Sequence, residues 1–150
     1  MSSSQYKNIK RTQWTALILQ IIVVISYFIP IATIQDNRRP VNSVQLGMLY
    51  IQDGRLLSIL GGCLYCALLF VLPLAIWLIT LWRKPRLNYG ICALLCALEV
   101  ISSSCFYTMA LHRMSNILIL KPSHYIIVFL ELLNMFVFAL AYLQAWNGNN

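Results

Sequence analysis

Four apolar runs, at residues 14–34, 56–82, 87–111 and 125–146, constrain this chain more than any other feature of it. Each is long enough to supply the about 20 residues that a helix rising 1.5 Å per residue needs to cross a hydrocarbon core of roughly 30 Å. Lipid offers the backbone no water to bond, so a run that lies there must satisfy its own N–H and C=O groups as a helix. The connections between the runs leave no room for a separate soluble domain. The expected fold is therefore all-α, a single domain over 1–150 built as an integral membrane four-helix transmembrane bundle with short loops. Composition agrees, because 60% of the residues are hydrophobic and only 10% charged, against about a quarter charged in soluble domains.

The net charge of +7 would suggest nucleic-acid binding in a soluble protein. Here the cations flank apolar runs, at Lys7, Lys10 and Arg11, at Arg38 and Arg39, at Arg83, Lys84 and Arg86, and at Arg113 and Lys121. That placement is the pattern of membrane anchors, and nucleic acid is not an expected partner; the lipid bilayer is. Trp14, Trp82, Tyr89, Tyr125 and Trp146 sit at span ends, as an interfacial aromatic belt requires. The first run is too long for a signal-peptide core and lacks a small-x-small cleavage site, so it stays as helix one.

An even number of spans puts both termini on one side. Lys7, Lys10, Arg11, Arg83, Lys84 and Arg86 then face Arg38, Arg39, Arg55, Arg113 and Lys121 across the membrane. Six cations against five assigns the termini to the cytoplasm of a plasma or bacterial inner membrane. The turn at residues 83–86, closed by Pro85, predicts that helices two and three form an antiparallel hairpin. The outer loop, 35–55, mixes turn chemistry with an apolar stretch, and fits either a short strand pair or an interfacial segment capping the bundle. Pro30 reads as a terminator of the first helix, and Pro73 as a kink in the second.

Within the spans, the residues costly to bury are Gln20, Glu99, Glu131, Asn134 and the serines at 102–104. Cys92, Cys96, Glu99 and Ser103 follow i, i+4, i+7, i+11 spacing and so share one helical stripe, which must face protein rather than lipid. Glu99 is either a protonatable carrier site or a register-fixing hydrogen-bonding group. Glu131 lies about 9 Å from the outer end of its helix, a depth from which it is expected to reach headgroups or to pair with Lys121 or Arg113. Asn134, one turn on, is expected to bond a neighbouring helix. Gly62-x-x-x-Cys66 presents small residues as a packing face.

All five cysteines fall inside the runs. Cys63-Leu64-Tyr65-Cys66 has the spacing in which one thiol can resolve the other's mixed disulfide. Cys105, on the adjacent helix, is expected at the same depth as Cys63. In that pair and in its four spans the chain is similar to the disulfide-forming oxidases and the vitamin K epoxide reductases, four-helix membrane enzymes that pass electrons between thiols and a quinone. Those families also carry a second cysteine pair in an aqueous loop, which these outer loops lack, so membership does not follow. The structural alternative is that the cysteines are small packing hydrophobes. His112 and His124 lie away from them, and neither a metal site nor a cofactor is expected.

These features point first to a small polytopic membrane protein of non-enzymatic type, acting through helix contacts as an accessory subunit or homo-oligomer. The alternatives are a proton-linked transporter or channel element using Glu99, with Ser103, Glu131 and Asn134 as further polar candidates, and a thiol oxidoreductase using Cys63, Cys66 and Cys105.

Overall fold

The computed structural model describes residues 3–81 and 85–147. Four long helices, α1 (Ser3–Ser26), α3 (Leu56–Thr80), α4 (Pro85–Met114) and α5 (Ser123–Asn147), pack together, and each is long and apolar enough to cross a membrane. Between α1 and α3 lie β1 (Pro30–Ile34), β2 (Pro40–Asn42) and a short helix α2 (Ser43–Gln52); β3 (Leu118–Leu120) precedes α5. The fold is mostly helical, but the expectation of an all-α chain is corrected by this three-stranded sheet.

The first apolar run does not stay helical to residue 34. At its end the chain tightens into i→i−3 bonds, from the N–H groups of Tyr27, Phe28 and Ile29 to Val24, Ile25 and Ser26, the usual way a last turn satisfies its carbonyls. The Ser26 hydroxyl also donates to the Val23 carbonyl at 2.6 Å. Pro30 then cannot donate to a continuing helix, and the β-branched residues after it pair instead as strand. β1 is the central strand, in the order β2-β1-β3, with both neighbours antiparallel. Thr33 faces Pro40 on one side and Ile119 on the other. Pro40 sits on an edge strand, where its missing N–H costs least. The turn between β1 and β2 puts Arg38 at φ 53°, and Asn37 accepts the Arg39 N–H at 3.1 Å.

The outer loop therefore supplies one strand, β2, which pairs with β1 at the end of the first run, and a short helix, α2. α2 begins at a capping box, in which Asn42 and Gln45 each bond the other's backbone N–H at 2.9 and 3.1 Å. It lies against α3 through glycines: a Cβ on Gly62 would stand 2.7 Å from Ile51 and 2.8 Å from the Gly47 carbonyl. Gly47 in turn lies over Tyr65 and Cys66. The small face read as Gly62-x-x-x-Cys66 is thus occupied by α2 of the same chain.

Residues 82–84, the heart of the tight turn expected between the second and third spans, lie outside the described residues. The contacts of α3 and α4 nevertheless run in opposite order: the Asn88 amide donates to the Ile79 carbonyl at 2.8 Å, the Cys92 thiol to the Ile76 carbonyl at 3.7 Å, and Tyr65 stacks on Phe106 with ring centroids 3.8 Å apart. Pro73 is buried within α3, which remains one helix. Two apolar clusters fill the bundle. One, beneath the sheet, centres on Tyr27, Ile31, Leu46, Phe106 and Ile127; the other, toward the termini, centres on Ile76, Cys92, Cys96 and Phe138.

Because Gly62 has no room for a side chain while Gly61 has ordinary contact distance to the Tyr50 ring, the two glycines should respond differently to substitution. Gly62→Ala is expected to lower stability by about 1–3 kcal/mol through overpacking, and Gly61→Ala to leave it unchanged or raised, as read by thermal unfolding in detergent.

Candidate functional site

The costly polar residues converge. On α1 and the turn that follows, Gln13, Gln20 and Tyr27 recur every seven residues, two helical turns apart, and so share a face. That face meets the α4 stripe of Cys92, Cys96, Glu99 and Ser103, and α5 contributes Glu131 and Asn134 from consecutive turns. Glu99 is 3% exposed and Glu131 fully buried.

Two linked sets of hydrogen bonds result. In one, Gln20 Nε2 donates to Glu99 Oε1 at 2.8 Å, and Asn134 Nδ2 donates to Gln20 Oε1. Asn134 Nδ2 also lies 3.6 Å from Cys96 Sγ, which approaches Gln20 Oε1 at 4.0 Å. In the other, one turn nearer the sheet, Glu131 Oε1 accepts from Ser103 Oγ at 2.8 Å and from the Tyr27 hydroxyl at 3.1 Å. Glu99 Oε2, Glu131 Oε2 and Asn134 Oδ1 are buried and, among the described residues, have no hydrogen-bond partner. The three helices are therefore joined by a polar seam whose acceptors outnumber the donors aimed at them.

The stripe that periodicity assigned to α4 is placed as expected, facing protein and built around Glu99. Asn134 does bond a neighbouring helix, through Gln20. Glu131 is the correction: its depth estimate allowed Lys121 or Arg113 as a partner, but its side chain turns inward to Tyr27 and Ser103. Arg113 donates instead to Ser58 Oγ at 3.4 Å on α3. Tyr27 was missed by reading the first run as helix to residue 34, although its seven-residue spacing from Gln20 is a signal that could have found it.

The structure separates the thiols. All five cysteines are free; Cys63 and Cys105 are exposed, Cys66 is half-buried against α2, and Cys92 and Cys96 are buried. Cys63 and Cys66 thus look into different surroundings. Among the described residues, no three His, Cys, Asp or Glu side chains are grouped to hold a metal ion. His124 stays at the sheet end, where Nδ1 lies 2.6 Å from the Lys121 carbonyl and the ring packs edge-on to Tyr107. Comparison of the chain with protein-family models, with curated proteins and with solved structures finds no match.

If the seam couples the helices, Tyr27→Phe and Glu131→Leu should be non-additive. A double-mutant cycle on unfolding free energy is expected to give a coupling of about 0.6–1.7 kcal/mol, the range measured between membrane helices. Tyr27→Phe with Thr12→Val, at the far end where Thr12 bonds Gln144 at 3.0 Å, should be additive.

Proposed function

We propose that the protein is a multi-pass membrane protein of plasma-membrane type, and that its working site is the Glu99–Glu131 seam, acting as the proton-linked element of a transporter or channel. The observation that carries this reading is the pairing of two buried carboxyls on one hydrogen-bonded seam, each with an oxygen left without a partner. The one ion pair among the described residues, Arg55 with Asp53 at 3.9 Å, lies elsewhere. A carboxyl held between helices without a cation is a group that can take up and release a proton where few others can. The outward faces support a lipid surround, being made of residues such as Ile18, Ile25, Leu60, Leu98, Phe129 and Leu140. With the termini in the cytoplasm, that face of the protein carries six Lys and Arg and no Asp or Glu, which supports the orientation.

A second reading keeps the seam as pure architecture. Gln20, Asn134, Ser103 and Tyr27 spend their donors inside the bundle, as they would in an accessory subunit or homo-oligomer that acts through helix contacts.

Infrared difference spectroscopy of the protein in lipid, stepped in pH, separates the two. The proton-linked reading expects a carboxyl C=O band that responds to pH, loses intensity in Glu99→Gln and again in Glu131→Gln, with thermal stability close to that of the parent. A spectrum unchanged by both substitutions would leave the architectural reading standing.

A further inference from the structure

The seam extends beyond its carboxyls. Toward the termini, Cys92 Sγ lies 3.4 Å from the Thr80 hydroxyl, Gln13 Nε2 donates to the Thr80 carbonyl at 3.1 Å, and the Tyr89 hydroxyl donates to Gln13 Oε1 at 3.0 Å. Toward the sheet, the Tyr107 and Ser43 hydroxyls are 2.9 Å apart. On α4 alone, Tyr89, Cys92, Cys96, Glu99, Ser103 and Tyr107 follow one another at three- and four-residue steps, and all six are buried. Eighteen residues at 1.5 Å per residue make this column about 27 Å long, close to the roughly 30 Å of a hydrocarbon core.

We propose that this column is a transmembrane path for protons, with Glu99 and Glu131 its central relay, Gln13 and the buried Tyr89 at one end and the buried Ser43 and Tyr107 at the other. The inference rests on the proton-linked reading of the seam and adds that protons cross the whole bundle without a second solute. Tyr89, Thr80, Cys92, Cys96, Ser103, Tyr27 and Tyr107 each carry an O–H or S–H that can be given up while a lone pair accepts another proton. Gln13, Gln20 and Asn134 hold their neighbours in line.

At the centre, an arriving proton forms an O–H bond on the Glu99 carboxylate. That bond breaks as the proton passes on, across the gap between the two linked sets, to the Glu131 carboxylate, and Glu131 releases it toward the opposite end. One proton enters for each that leaves, and both carboxylates return to their starting state. Within each linked set the side chains lie at hydrogen-bond distances in a buried interior, which suits bond-to-bond transfer. The titratable groups facing the carboxyls are Tyr27 at the end of α1, Tyr65 on α3, and Cys96 and Tyr107 on α4. No Lys, Arg or His bonds to either carboxyl among the described residues.

The test uses the full chain in liposomes enclosing a pH-sensitive dye, with an inside-negative potential set by potassium and valinomycin. The lumen of vesicles containing the parent protein is expected to acidify. The rate should fall about tenfold or more in Cys92→Ala, which removes a proton-carrying group from the column, and recover in Cys92→Ser, which restores one. Cys105→Ala, on the exposed face, should conduct like the parent. Acidification that is equally fast in Cys92→Ala and Cys92→Ser would overturn the path. So would a parent protein that does not acidify the lumen while its Glu99 band still responds to pH, an outcome that leaves the proton-linked reading intact. Loss of the pH-responsive band itself would remove both.

Discussion

The bundle depends on the hydrogen bonds that α1, α4 and α5 exchange through Glu99 and Glu131. Removing an unpartnered polar group from water costs roughly 2–7 kcal/mol, so each carboxyl constrains every helix near it. Glu99 needs Gln20 at its own level, and Gln20 needs Asn134. Glu131 needs Tyr27 and Ser103. A slide of any of the three helices by one turn would break several of these bonds together. Apolar side chains alone define register weakly, because one leucine face packs about as well as the next.

The same constraint explains where the small residues lie. α4 brings Cys96 rather than a larger side chain to the seam, beside the Gln20 and Asn134 amides. At the sheet end the close approach is made by Gly47 and Gly62, and it serves α2, whose buried polar contact with α4 is the Ser43–Tyr107 pair. Polar bonding holds the interior of the bundle, and close backbone contact holds its cap.

Much of this was legible in the sequence, for reasons that can be named. Apolar runs longer than a bilayer is thick admit few folds, so the four long helices followed directly. The α4 stripe followed from helical periodicity, which is a local property. What periodicity could not supply was the partner of each polar residue, which depends on how helices far apart in the chain are rotated against one another. Glu131 was therefore recognised as a costly polar residue but given the wrong neighbours. The strand at Pro30–Ile34 was hidden in an apolar run, because isoleucine and alanine suit a membrane helix and a buried strand alike. Only its partners decide, and one of them, Leu118–Leu120, lies more than eighty residues downstream.

That separation has a consequence for how the molecule is made. The ribosome delivers β1 and β2 early, and they can pair at once across a short turn. The other edge of β1 has no strand to bond until residue 120 has been synthesised, after α3 and α4. Such a contact of long sequence separation forms late, and an open strand edge is meanwhile a surface to which other chains can add. β3 leads almost directly into α5, the helix that also carries Glu131 and Asn134. Closing the sheet and supplying Glu131 and Asn134 to the polar seam therefore both wait on the same late stretch of chain.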